Sequence, residues 1–91
     1  MGAKRLIIAG RVQGVGYRAW MVHQAERLGV SGWVRNRRDG TIEALVDGDT
    51  ASVEELLRLC RRGPPLATVI EITEELAEPC PEPGFGRLPT A

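Results

Sequence analysis

The chain has 91 residues, of which 12 are basic, 12 are acidic and 43% are hydrophobic, a composition typical of one small globular domain and not of a disordered or fibrous protein. No apolar run approaches the roughly 20 residues of a membrane span, and no small-residue cleavage site follows the short N-terminal apolar run. We therefore expect one domain over residues 1–91, cytoplasmic and without a membrane partner.

The charges are unevenly distributed along the chain. Residues 1–38 hold eight Lys/Arg and one acidic residue, whereas residues 39–91 hold four Lys/Arg and eleven acidic residues. A basic half around an anion site would steer an anionic substrate towards it. The alternative, which the sequence favours, is a solvated surface of interspersed charge.

The first part of the chain predicts a strand, a helix and a second strand. An apolar run from about Lys4 to Ala9 indicates a buried strand, and Tyr17 to about Leu28 has helical spacing. Gly29 suits a left-handed cap at the end of that helix. A second strand follows from about Val30 to Asn36, and the next four residues, Arg-Arg-Asp-Gly, are typical of a hairpin turn.

A third strand and a second helix are predicted next. Thr41 to Asp47 alternates apolar and polar residues, as a strand with one buried face does. The helix runs from about Ala51 to Arg62, and Ser52 and Glu55 stand at the spacing of a capping box. The following Gly-Pro-Pro ends the helix, because proline cannot continue it.

The rest of the chain predicts a fourth strand from about Ala67 to Leu76, a proline-rich loop, and a short fifth edge strand at Phe85 to Leu88. The order β-α-β-β-α-β fits one antiparallel sheet with two helices on one face. That arrangement is the ferredoxin-like α+β sandwich.

The turn between the first strand and the first helix carries the strongest functional signal. It reads Gly-Arg-Val-Gln-Gly-Val-Gly-Tyr-Arg over residues 10–18. A glycine-rich turn that leads into a helix aims several backbone N–H groups at one concave site, and the helix N-terminus adds partial positive charge, which suits a phosphate. Arg18 adds a forked, permanently charged donor. The spacing fits neither nucleotide-hydrolase nor dinucleotide-binding loops, and an ordinary tight turn is the alternative.

Asn36 stands at the end of the predicted second strand. Side chains alternate between the faces of a strand, so Asn36 shares the face of Val34, which we expect to point towards the helices. At the end of the strand the helix layer no longer covers that face. From the residues alone a turn role is favoured, because asparagine is common at the start of turns.

The histidine and the two cysteines indicate no further chemistry. His23 lies off the apolar face of its helix, so a solvated side chain is favoured over a general base. Cys60 falls on the apolar stripe of the second helix and Cys80 in the proline-rich loop, and free thiols are favoured over a disulfide. The sequence shows no spacing of metal ligands.

Residues 10–18, the segment Gly32-Trp33-Val34-Arg35-Asn36 and the turn Asp39-Gly40 together resemble the double signature of the acylphosphatase family. The resemblance covers nearly the whole chain, and the C-terminal segment is its weakest part. It implies hydrolysis of the carboxyl–phosphate bond of small acyl phosphates to a carboxylate and inorganic phosphate, by direct attack of an oriented water. It implies no metal and no organic cofactor.

The resemblance also implies the roles of individual residues. Arg18 and Asn36 would be catalytic, Arg18 by holding the phosphoryl oxygens and Asn36 by orienting the water. The phosphate-binding residues would be Gln13, Gly14, Val15, Gly16, Tyr17 and Arg18, through their backbone N–H groups. The partners would be an acyl phosphate and inorganic phosphate, with no nucleic acid, and the chain is expected to be a monomer.

Two alternatives stay open, and RNA binding is a less favoured third. The same motifs occur as a module of the much larger hydrogenase-maturation carbamoyltransferases, and a non-catalytic phosphate-binding module would share the glycine turn. RNA-binding domains also use this fold, but they stack bases on sheet aromatics. Aromatic residues are few in this chain and are not on the predicted central strands.

Overall fold

The computed structural model describes residues 2–91. Its elements, in chain order, are β1 (Gly2–Arg11), α1 (Tyr17–Leu28), β2 (Ser31–Asn36), β3 (Ile42–Gly48), α2 (Thr50–Arg62), β4 (Thr68–Ala77) and β5 (Phe85–Arg87). The predicted order of elements is confirmed, and every boundary lies within two residues of the prediction. Gly29 ends α1 in the left-handed conformation, at φ 72°, as expected.

The five strands form one sheet in the order β4-β1-β3-β2-β5. β3 is antiparallel to both β1 and β2, and β4 is antiparallel to β1. The expected antiparallel pairing therefore holds for these four strands, but β5 runs parallel to β2, so the sheet is mixed. The reason is that β4 ends at the edge where β2 begins, and the chain crosses there to run alongside β2.

The core lies between one face of the sheet and the two helices. Apolar side chains from both layers form a single buried cluster: Leu6, Ile8, Val12, Tyr17, Met21, Ala25, Val30, Val34, Ile42, Ala44, Val46, Val53, Leu56, Leu57, Cys60 and Phe85. Burial of this apolar surface is the main driving force for folding. No helix within residues 2–91 is long and apolar enough to cross a membrane.

Gly10 allows two strands to approach closely. The pairing of β1 with β4 shifts its register between Ala9 and Gly10. Gly10 has φ 131°, and a Cβ atom there would overlap the backbone carbonyl oxygen of Thr68. The first glycine of the motif is therefore required for the bulge, because any side chain there would collide with β4.

α2 is capped by Asp49, and the capping box predicted at Ser52 and Glu55 is wrong. The backbone N–H of Ser52 donates to Oδ1 of Asp49 at 3.0 Å, and the Ser52 hydroxyl donates to Oδ2 at 2.9 Å. These hydrogen bonds hold the pKa of Asp49 below its usual value. Glu55 accepts from Arg58 instead. The helix begins one residue earlier than predicted because Asp49 is the better-placed acceptor.

Candidate active site

The turn between β1 and α1 depends on glycine for its backbone conformation. Gly14 and Gly16 have φ of 75° and 81°, whereas Val15 between them has a negative φ. A Cβ atom at either glycine would meet nothing within 4 Å, so left-handed φ, and not lack of space, requires glycine. Alternation of left- and right-handed residues makes successive N–H groups converge on one concavity that suits an anion.

The N–H groups of this turn are uncommitted. Outside the regular elements of residues 2–91, no backbone–backbone hydrogen bond uses an N–H of residues 13–18 as its donor. Gly16 caps α1 without a side-chain hydrogen bond, and the first turn of the helix has no acidic residue. The positive end of the helix dipole is therefore not compensated by the chain itself, which favours binding of an anion.

Arg18 lies in the first turn of α1 next to these amides. Its side chain is half-buried, yet it forms no hydrogen bond or ion pair with any residue that the structure describes. Two other half-buried arginines, Arg5 and Arg35, both bind Glu43, at 2.6 and 2.8 Å. The guanidinium of Arg18 is thus available to an anion held by the turn.

Asn36 ends β2 on the face of Val34, as predicted. Val34 is fully buried, whereas Asn36, at the end of the strand, is half-buried. Its side-chain Oδ1 is buried and has no hydrogen-bond partner among residues 2–91. Buried polar atoms nearly always have a partner. This acceptor is therefore available to a donor that the chain does not supply, such as a water molecule.

Gln13 ties the turn to the hairpin that follows Asn36. Its side-chain Nε2 donates to the backbone carbonyls of Arg37 and Thr41, at 2.7 and 2.9 Å. The sequence predicted only a backbone role for Gln13. Its side chain joins two segments 24 and 28 residues away, a contact that no local pattern in the sequence could indicate.

The side chain of Tyr17 belongs to the core. It is buried, and its hydroxyl donates to the backbone carbonyl of Cys60 at 2.7 Å, which joins the start of α1 to α2. Burial raises the pKa of this hydroxyl strongly. Cys60 and Cys80 are both free, as predicted, and burial raises the pKa of the Cys60 thiol to about 12. The Cys60 thiol is therefore not activated as a nucleophile by its environment.

The sheet brings the predicted site residues to one edge. β1 and β2 are both antiparallel to β3, so their C-terminal ends, Arg11 and Asn36, meet at the same edge. The glycine turn leaves β1 at this edge. β2 lies on one side of β1, beyond β3, and β4 lies on the other. Asn36 and the start of β4 therefore flank the turn on opposite sides.

Among residues 2–91 there is no group of three or more His, Cys, Asp or Glu side chains that could hold a metal ion. His23 is exposed on α1, as expected of a solvated histidine.

The structure is thus a ferredoxin-like α+β sandwich in which a turn of uncommitted amides and an arginine without a partner among residues 2–91 lie at one edge of the sheet. The family model described as Acylphosphatase matches residues 4–86. The chain belongs to the acylphosphatase family.

Individual relatives agree with this assignment. The chain is 66% identical over 90 residues to the acylphosphatase of Acidiphilium cryptum (strain JF-5), and the match covers 99% of both chains. It resembles the crystal structure of acylphosphatase from Bacillus subtilis with a TM-score of 0.90 and 30% identity, over 97% of this chain and 99% of that one. It also resembles full-length HypF in the phosphate- and nucleotide-bound form, with a TM-score of 0.90 and 25% identity, over 98% of this chain and 12% of that one.

Proposed function

We propose that this member of the acylphosphatase family hydrolyses the carboxyl–phosphate bond of small acyl phosphates, which gives a carboxylate and inorganic phosphate. The proposal is supported by the polar groups that lie at one edge of the sheet. Uncommitted N–H groups and Arg18, which has no partner among residues 2–91, lie at the same edge of the sheet as the unpartnered Oδ1 of Asn36. The first two can bind a phosphoryl group, and the third can bind a water.

The phosphoryl oxygens would be held by the amides of residues 13–18 and by the guanidinium of Arg18. The planar fork of arginine donates two parallel hydrogen bonds to two oxygens of one phosphoryl group. The amide donors are positioned before the substrate arrives, since the side chain of Gln13 ties the turn to the hairpin that follows Asn36. Preorganised donors at developing charge are a large source of transition-state stabilisation.

Asn36 would orient the attacking water. One O–H of the water donates to Oδ1 of Asn36, which leaves an oxygen lone pair free to attack phosphorus. The new P–O bond forms as the bond between phosphorus and the acyl oxygen breaks, and the proton of the water leaves with the phosphate product. A carboxylate is a good leaving group that needs no general acid, so positioning and charge stabilisation suffice.

The site is built from residues of a single chain. This supports a monomer as the active species, with an acyl phosphate and inorganic phosphate as partners. We propose further that the protein acts in the cytoplasm, without a nucleic-acid or membrane partner. Size-exclusion chromatography with light scattering at micromolar concentration tests the monomer, and an obligate dimer would contradict it.

The function is tested by measuring phosphate release from acetyl phosphate and from p-nitrophenyl phosphate at neutral pH, with and without excess EDTA. We expect hydrolysis of acetyl phosphate that EDTA leaves unchanged, and much slower turnover of the p-nitrophenyl ester, whose leaving group is less activated. Equal rates on the two substrates would contradict the substrate class. Loss of activity in EDTA that a divalent ion restores would contradict the mechanism.

A further inference from the structure

A cavity of about 500 Å³ opens between α1 and the segment that joins α2 to β4. Its walls include Trp20 and Gln24 of α1, Arg62 of α2, and Pro64 and Pro65. We propose that this cavity binds the acyl group of the substrate and favours a planar apolar acyl group that carries a second negative charge at its far end. The proposal rests on the function proposed above.

One wall of the cavity, Trp20, lies one helical turn from the turn that is proposed to bind phosphate. The backbone N–H of Trp20 donates to the carbonyl of Gly16 at 3.1 Å, so Trp20 stands one helical turn beyond that glycine. Side chains of a helix lean towards its N-terminus, which brings the indole of Trp20 back over the turn. The Tyr17 ring packs against it at 5.3 Å between centroids. An acyl group attached to a phosphoryl group in the turn is therefore within reach of the indole.

The expected direction of the reaction points to the same cavity. In an in-line displacement the water and the leaving group lie on opposite sides of phosphorus. Asn36 lies on the β2 side of the turn, whereas Pro64 and Pro65 precede β4 on the other side. A water held by Asn36 thus drives the leaving carboxylate towards the cavity.

The lining suits a flat acyl group with a distal anion. Trp20 and the two prolines offer apolar surface, and the volume lies within the range of about 300–1,000 Å³ that is usual for small-molecule sites. Arg62 is exposed and has no ion pair within residues 2–91, whereas the adjacent Arg61 binds Glu74 at 2.8 Å. Arg62 is therefore free to attract a carboxylate at the cavity rim.

The first test compares benzoyl phosphate with acetyl phosphate, whose single methyl group offers an indole little surface to contact. Trp20→Ala should raise KM for benzoyl phosphate roughly tenfold, the scale of one lost aromatic contact, and leave KM for acetyl phosphate within about twofold. Trp20→Phe should keep most of the preference. Trp33→Ala is the matched control, since Trp33 lies on the face of the sheet away from the helices, under Arg35.

The second test adds a carboxylate to the substrate. We expect wild type to have a lower KM for 4-carboxybenzoyl phosphate than for benzoyl phosphate. Arg62→Gln should remove about two- to fivefold of that preference, as for an exposed ion pair, and should leave KM for acetyl phosphate unchanged. Arg87→Gln, at an exposed arginine of β5, should change neither.

The outcomes separate this proposal from the function itself. If wild type hydrolyses acetyl and benzoyl phosphate and Trp20→Ala raises both KM values equally, the acyl subsite is refuted and the hydrolase function stands. If the Trp20→Phe and Trp20→Ala variants behave alike on benzoyl phosphate while circular dichroism shows both folded, the subsite is also refuted. If wild type hydrolyses neither substrate, both proposals fall.

Discussion

Replacement of Asn36 by alanine should separate activity from stability. The side-chain Oδ1 is buried without a partner among the described residues, so its removal breaks no hydrogen bond within that part of the chain. The alanine variant loses only the packing of a small, half-buried side chain. We therefore expect the free energy of unfolding to change by less than about 1 kcal/mol. In a domain of this size that corresponds to a change in Tm of less than about 4–8 °C.

The same variant should lose catalytic activity but keep its affinity for inorganic phosphate. Asn36 is proposed to contact the water and not the phosphoryl group. Its loss should lower kcat for acetyl phosphate by roughly 10²-fold or more, the scale of one preorganised polar contact in the transition state. The inhibition constant of inorganic phosphate should stay close to that of wild type, because the amides of residues 13–18 and Arg18 are untouched.

Three measurements check this prediction: urea unfolding followed by circular dichroism, kcat on acetyl phosphate, and phosphate inhibition. The reasoning would be refuted by a variant that is destabilised by more than about 1 kcal/mol and keeps a near-normal kcat. In that case Asn36 would be a turn residue that stabilises the end of β2.

Three further predictions concern the anion site and the thiols. Arg18→Ala should weaken phosphate inhibition and lower kcat, and Arg18→Lys should restore only part of both because an ammonium cannot reproduce the fork; full rescue by lysine would contradict bidentate binding. Phosphate at ten times its Kd should stabilise the wild type by about 1.4 kcal/mol, and a Tm that stays flat up to tens of millimolar would argue against a preformed site. Native protein should be alkylated at Cys80 and not at Cys60, and equal labelling of the two thiols in mass spectrometry would be inconsistent with the buried position of Cys60. In urea unfolding, Cys60→Ser should destabilise the fold whereas Cys80→Ser should not.

The fold and the glycine turn could be predicted because their signals are local. Alternation along β3, helical spacing in α1 and glycine at positions of positive φ each depend on neighbouring residues only. The turn glycines Gly14 and Gly16 have the left-handed conformation that the pattern requires. The family signature predicts Arg18 and Asn36 as site residues. The structure adds that Arg18 has no partner within residues 2–91 and that Asn36 has a buried, unpartnered oxygen.

Features that depend on pairing between distant segments could not be predicted. Glu43 alternates with apolar residues and would be expected to face solvent, yet it is only 5% exposed. Arg5 and Arg35 cover it from the neighbouring strands, and although burial alone would raise its pKa, their hydrogen bonds hold that pKa below its usual value. The parallel pairing of β5 with β2 and the hydrogen bonds from the side chain of Gln13 to the hairpin also join distant segments. Each becomes visible only once the register of the sheet is known.

The central claim is that water attacks phosphorus, and not the acyl carbon, of the bound substrate. The most direct measurement is hydrolysis of acetyl phosphate by the wild-type protein in H2¹⁸O, with mass spectrometry of both products. Attack by a water that Asn36 holds against a phosphoryl group in the glycine turn predicts one ¹⁸O atom in inorganic phosphate and none in acetate. Enzyme-dependent label in acetate would contradict the mechanism.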